Sequence, residues 1–338
     1  MRRVRVRALR WALCVAALSA GCRGGDAPAA TGDASTAAGG ASTAATVARW
    51  CARNVASPEP SALIYNRLAK TGGTTMFLVI EKQMEAKRRA FSVLHLNSTL
   101  VRHAQRRDWM AGYAAHVRAH LDAKRAAPGV RAVVVGHFAL DPSFPRDAFG
   151  AAHGWERMQL FRDCASRAQS NLVYNLYESG SARRARRKKT LGAYQARLLP
   201  HTENLTVAEC LRNVACLERH RQRWLPLTRY QTSMLGGTHV FANLVEGYHA
   251  FGFIDQLEET FDVLRCAYPS VFKSARARAA KRANSCSGGH CRWDDGATAL
   301  FREACADENR FLARARKLFE ALHAAATEAP QACCRQPP

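Results

Sequence analysis

One stretch limits what this chain can fold into. Leu63 to Thr75 reads Leu-Ile-Tyr-Asn-Arg-Leu-Ala-Lys-Thr-Gly-Gly-Thr-Thr, and Met76-Phe-Leu-Val-Ile-Glu-Lys-Gln-Met follows it. The apolar start with an aromatic predicts a buried strand, and the continuation predicts a helix. Between them lies a Gly-rich turn carrying Lys70 and hydroxyls. A strand, such a turn and a helix can hold a phosphate. The glycines let backbone N–H groups converge on an anion, the helix N-terminus adds partial positive charge, and Lys70 adds a full one. The order is not that of a Walker A loop, in which the Lys follows the glycines. The bland alternative is an ordinary strand-to-helix turn.

Further strands and helices alternate along the chain, which predicts an α/β fold with a central parallel sheet flanked by helices. Phe91 to Leu96 alternates as a strand. Asp108 to Ala126 reads as a helix closed by Pro128-Gly129. The run Ala132-Val-Val-Val135 reads as a central parallel strand that delivers Gly136-His137 to its C-terminal end, where ligands bind in open α/β sheets. Arg157 to Asp163 is another strand, leading into a helix from Ala165. Leu205 to Arg221 reads as a helix carrying Cys210 and Cys216, and a bridge between these two requires the helix to end near Asn213. A short strand at Gly252–Ile254 and a helix from Asp255 to Arg265 follow. Ala297 to Ala326 reads as one long amphipathic helix with Cys305, Phe311 or Leu312, Phe319 and Leu322 inward.

The ends differ from this middle. Residues 1–22 have a basic start and a short apolar core, Trp11 to Gly21, well under the roughly 20 residues of a membrane span. They read as a signal peptide or signal-anchor. Residues 23–60, rich in Ala, Gly, Ser and Thr, read as a flexible stem. Residues 61–330 read as a single folded domain and 331–338 as a tail.

The net charge of +23 implies an anionic partner: nucleic acid, acidic polysaccharide, phosphates or a membrane surface. The densest charge run is Arg183-Arg184-Ala-Arg186-Arg187-Lys188-Lys189. The chain has 12 cysteines and sequons at Asn97 and Asn204. With the N-terminal signal, these favour the secretory pathway. No nucleic-acid-binding motif is present. Cys286 and Cys291 with His290 between them are a possible metal fragment, though the spacing better suits a local disulfide or a loop.

Three segments, in order, resemble the Golgi carbohydrate sulfotransferases, closest to the heparan sulfate and uronyl 2-O-sulfotransferases. Ile64 to Thr75 is similar to their donor loop, Y-N-R-x-P-K-T. Val135-Gly-His-Phe138 is similar to their H-G-H segment. Phe161-Arg-Asp-Cys-Ala-Ser-Arg-Ala-Gln-Ser170 resembles R-D-P-x-x-R-x-x-S. The chain departs from the pattern at Ala69 and Cys164, where the family has Pro, and at Val135, where it has His.

The resemblance implies a P-loop-like sulfotransferase fold and 3′-phosphoadenylyl sulfate (PAPS) as donor, without a metal. It implies transfer of a sulfuryl group to a hydroxyl of a heparan, dermatan or chondroitin-type glycosaminoglycan, at the uronic acid 2-O position. His137 is then the general base and Lys70 neutralises the leaving oxygen. Lys70, Thr71, Gly72, Gly73, Thr74 and Thr75 hold the 5′-phosphosulfate, and Arg162 and Ser170 hold the 3′-phosphate. Arg67 and Arg183, Arg184, Arg186, Arg187 and Lys188 meet the acceptor's acidic groups. Asn97 and Asn204 carry glycans. The expected setting is a type II Golgi membrane protein with a lumenal domain, or a secreted one after signal cleavage. The alternatives are transfer to another glycan position and a non-catalytic polysaccharide-binding protein of the same fold.

Overall fold

A computed structural model describes residues 42–68, 71–86, 91–96, 107–123, 129–136, 154–176, 207–210, 213–275 and 293–336. Lys70, His137, Asn97, Asn204, Arg183 to Lys189, the Cys286–Cys291 pair and the signal segment lie outside the described residues.

Five strands form one all-parallel sheet: β1 (Ala62–Asn66), β2 (Ser92–Leu96), β3 (Ala132–Gly136), β4 (Trp155–Phe161) and β5 (Ala250–Phe253), in the order β2-β3-β1-β4-β5. Every residue of β1 and β3 is buried. Strands covered on both faces have no wet side to alternate with, so they read as continuous apolar runs. β1 lies between β3 and β4, with Asn66 opposite Gly136 on one side and Gln159 on the other. The chain leaves β1 toward β2 and leaves β4 toward β5, in opposite directions. The carboxyl ends of β1 and β4 therefore flank the point where the winding reverses, the place where open α/β sheets form a ligand crevice.

The larger described helices are α1 (Thr43–Ala56), α2 (Gly73–Ala86), α3 (Arg107–Ala123), α4 (Cys164–Leu176), α5 (Val240–Gly247), α6 (Leu257–Ala267), α7 (Asp295–Ala304) and α8 (Ala306–Glu328). Met76, Val79 and Ile80 place one face of α2 in the core, the i, i+3, i+4 pattern of an amphipathic helix. Leu312, Ala315, Leu318, Phe319 and Leu322 do the same for α8. Phe311 and Phe319 of α8 meet Phe161, Phe251 and Phe253 of β4 and β5 at centroid distances of 5.6 to 6.3 Å. Edge-to-face pairs of this kind add about 0.5–1.5 kcal/mol each beyond area burial. Among the described residues no helix is long and apolar enough to cross a membrane.

Folded structure begins before Ser61. α1 lies inside the stretch read as a stem. Ser42 caps it, accepting a hydrogen bond from the Ala45 N–H at 3.2 Å. Trp50, Cys51 and Asn54 are buried on one side, and Cys51 forms a disulfide with Cys333. An Ala- and Thr-rich composition looks like a linker, yet Ala is the best helix former, and three well-spaced anchors suffice to dock the helix.

The end of the chain is likewise no free tail. Pro330–Cys333 is a short helix, Cys334 is bonded to Cys266, and Arg335 is buried. The Arg335 guanidinium grips the buried Glu156 carboxylate at the start of β4 with two hydrogen bonds of 2.7 and 3.0 Å.

Two helices are shorter than their periodicity implies. The expected helix at 297–326 breaks at Cys305 into α7 and α8, and Cys305 is bonded to Cys164 at the start of α4. The expected helix at 205–221 divides into Val207–Cys210 and Val214–Arg219, with Asn213 capping the second. The Cys210–Cys216 disulfide spans the break, as the spacing requires.

Candidate anion-binding site at the β1 and β4 ends

The loop after β1 is built by its own backbone needs. The Thr71 hydroxyl donates to the Leu68 carbonyl at 3.1 Å and is fully buried. That hydroxyl closes the turn. Gly72 has φ 79°, and a Cβ there would run into the Ile254 side chain beyond β5. Only glycine combines the left-handed backbone with that close approach. The Gly72 carbonyl then accepts from the Met76 N–H at 3.0 Å, and α2 starts at Gly73. The first-turn N–H groups of a 14-residue helix thus face the crevice end of β1, without intrahelical acceptors and with the positive end of the helix dipole behind them.

Arg67 is turned onto this loop. Its aliphatic stem lies where a Cβ on Gly73 would sit, and its Nη2 donates to the Thr74 hydroxyl at 2.6 Å. Its backbone N–H donates to the Gly136 carbonyl at 2.6 Å, so the loop is tied to the end of β3, the residue before His137. Arg67, expected to meet an acceptor's acidic groups, braces Thr74 and brings a cation to the first turn of α2.

Arg162 follows β4 directly. Burial lowers its basicity, opposed by the neighbouring Asp163 and Asp255 carboxylates. Asp163 caps α4, its Oδ1 accepting from the Ser166 N–H at 2.8 Å. The Cys164–Cys305 disulfide ties this turn to the break between α7 and α8. Ser170 lies further along α4, half-buried. Val135 is 1% exposed within the apolar core, on the same face as Leu63 and Tyr65.

Arg67 and Thr71 to Thr75 thus follow the carboxyl end of β1 and Arg162 that of β4, with Asn66 closing β1 opposite Gln159. Asn66 donates to the Tyr248 hydroxyl at 3.0 Å.

Behind Arg162 lies a buried group that reading the sequence missed. Gln231 accepts from the Arg162 N–H at 3.0 Å and donates to the Arg162 carbonyl at 2.9 Å. Glu308 of α8 accepts from the Gln231 side chain at 2.7 Å and from the Gln231 and Thr232 N–H groups at 2.9 and 3.2 Å. Arg167 Nε lies 3.8 Å from the Glu308 carboxylate, and both side chains are fully buried. Burial pushes Glu308 above its ordinary value, against Arg167, Gln231 and Thr232. Burial lowers Arg167, against Glu308 and Tyr230. A signal for this group existed: Glu308 occupies the same inward stripe of α8 as Leu312, Ala315 and Phe319, where an unpartnered carboxylate is untenable.

Among the described residues no cluster of His, Cys, Asp and Glu is arranged to hold a metal ion. No protein-family profile matches the chain, and comparison with curated proteins gives no match.

Proposed function

We propose that the chain is a carbohydrate sulfotransferase of P-loop-like fold that takes PAPS as donor and a hydroxyl of an acidic polysaccharide as acceptor. The observation that carries this reading is the meeting of the β1–turn–α2 unit with Arg162 at the reversal point of the sheet. A donor with phosphate groups at both ends of a ribose needs two anion-binding positions, and this crevice offers one on each of two adjacent strand ends.

The donor supplies an activated sulfuryl group. In the reaction the acceptor oxygen bonds to sulfur, the bond from sulfur to the phosphate oxygen breaks, and adenosine 3′,5′-bisphosphate leaves. The chain's tasks are positional and electrostatic. The N–H groups of Gly73, Thr74 and Thr75 and the Lys70 ammonium bind the 5′ end. Arg162, with Ser170, binds the 3′-phosphate, which compensates the desolvation of a partly buried guanidinium. His137, next after β3, removes the acceptor's proton, since imidazole titrates near neutrality. The cations Arg183, Arg184, Arg186, Arg187 and Lys188 meet the acceptor's carboxylates and sulfates.

The net charge of +23 suits a polyanionic acceptor better than a small phenol. Four disulfides among the described residues fit an oxidising compartment such as the Golgi lumen. Within this reading the uronic acid 2-O position is the first acceptor to try. Asn97 and Asn204 are then lumenal glycan sites, and the N-terminal segment is a membrane anchor or a cleaved signal.

The test is incubation of the full chain with radiolabelled PAPS and a panel of desulfated glycosaminoglycans, followed by disaccharide analysis. Label on one sugar position is the expected result. No transfer and no binding of adenosine 3′,5′-bisphosphate sinks the donor reading. Donor-independent polysaccharide binding alone selects the non-catalytic alternative. Lys70→Ala and His137→Ala are each expected to lower turnover by about 10²-fold or more. Full turnover in both overturns the assigned roles.

A further inference from the structure

We propose that Gln231 and Glu308 are positioning residues that hold Arg162 at the crevice for a 3′-phosphate. This rests on the donor reading above and adds to it a means by which one phosphate is selected.

The geometry is specific to Arg162. β5 pairs with β4 only as far as Phe161, whose carbonyl accepts from the Ile254 N–H at 3.0 Å. One residue later the ladder has no strand to continue on. The Gln231 side chain takes that place, satisfying both the N–H and the C=O of Arg162 as a neighbouring strand would. This amide fixes the backbone of Arg162, and with it the point past β4 from which the side chain starts.

A side-chain amide can swing, so it needs its own support. Glu308 supplies that with one carboxylate oxygen on the Gln231 amide and the other on the Gln231 backbone N–H. Arg167 balances the buried charge and lies over the Tyr230 ring with its guanidinium carbon 5.0 Å from the centroid. Its guanidinium also donates to the Leu227 carbonyl. Buried ion pairs of this kind contribute little to stability alone, because an apolar cluster of the same volume stabilises as well or better. Their product here is position. Gln231 is fully buried and two of its bonds end on the backbone of the residue that directly follows β4, so the group braces the crevice end of that strand as well as the core.

The experiment is calorimetric titration of the full chain with adenosine 3′,5′-bisphosphate and, separately, adenosine 5′-monophosphate. The ratio of the two affinities measures what the 3′-phosphate adds. Gln231→Met keeps the volume and removes the clamp. The expected result is a loss of about tenfold in bisphosphate affinity with monophosphate affinity within about twofold of wild type, the scale of one charge-assisted hydrogen bond drawn out of alignment.

The double variant Arg167→Met with Glu308→Leu removes the ion pair without leaving an orphan charge. It is expected to keep the fold and lower the same ratio. A purely structural role lowers both affinities together, or leaves the ratio unchanged while the melting temperature falls. Either pattern in both variants overturns the positioning role. If the wild type does not prefer the bisphosphate, the donor reading itself falls and takes this inference with it. If the wild type prefers it and the variants do too, the donor reading stands and only the role of Gln231 and Glu308 is lost.

Discussion

Gly72 carries the turn that every other part of the crevice is built on. Its φ of 79° and its contact with Ile254 leave no room for a side chain. Gly72→Ala is therefore expected to destabilise the protein by about 1–3 kcal/mol and to weaken nucleotide binding, read by urea titration and calorimetry. His249 gives a pH prediction. It is buried, its Nε2 lies 2.7 Å from Asn54 Oδ1, and burial with Arg335 and Arg53 nearby holds it well below its ordinary value. The unfolded chain then binds the proton that the folded chain refuses. The contribution of His249 is complete above about pH 6.5 and is lost as pH falls toward the folded value. His249→Gln should flatten this part of the stability profile in urea titrations between about pH 7.5 and 5. Most of the turn was legible as residue types: two glycines and hydroxyls after a strand predict a backbone cradle. The direction of each hydroxyl was not. Thr71 and Thr74 look alike in sequence, yet one is spent on Leu68 and the other receives Arg67.

At the scale of elements, the strands were legible because a parallel strand buried on both faces has no alternative to a short apolar run bounded by turns. Helix limits were less legible, because periodicity continues through a break whenever the residues on both sides face the same core. Ala297 to Ala326 shows this: Phe301, Leu312 and Phe319 all point inward, although the chain turns at Cys305. α1 failed in the opposite sense, its composition concealing a spacing of Trp50, Cys51 and Asn54. Its covalent link to the rest is the Cys51–Cys333 disulfide, which closes a sequence separation of 282 residues. Cys51→Ser with Cys333→Ser is expected to lower stability by about 2–4 kcal/mol in chemical denaturation. An unchanged midpoint would show that packing alone docks the helix.

On the scale of the whole molecule, two buried charge groups brace the two ends of β4. At its start, Glu156 is held by Arg335 from the C-terminal segment and by Arg53 of α1 at 3.1 Å. Past its end, Gln231, Glu308 and Arg167 hold Arg162. β4, which leads directly into Arg162, is thus fixed at both ends by residues distant in sequence. Arg335→Met leaves the buried Glu156 carboxylate with the half-exposed Arg53 as its nearest cation, beside Tyr268 and the buried His249 at 3.6 Å. The expected loss is about 3–5 kcal/mol in thermal or urea unfolding. Retention of wild-type stability would show that Arg53 balances the charge without Arg335.

By itself the sequence determined the parallel α/β sheet, the strand before and the helix after the Gly72-Gly73 turn, and the placing of Gly136 and Arg162 at strand ends. These follow from local rules: side-chain periodicity, and the backbone freedom of glycine. Only the tertiary structure decided that residues 43–56 and 330–335 belong to the fold, that Arg67 braces the loop, and that Gln231 and Glu308 stand behind Arg162. Each of these depends on what a side chain meets across tens or hundreds of residues. A buried carboxylate or an alanine-rich helix carries no local mark of its partner.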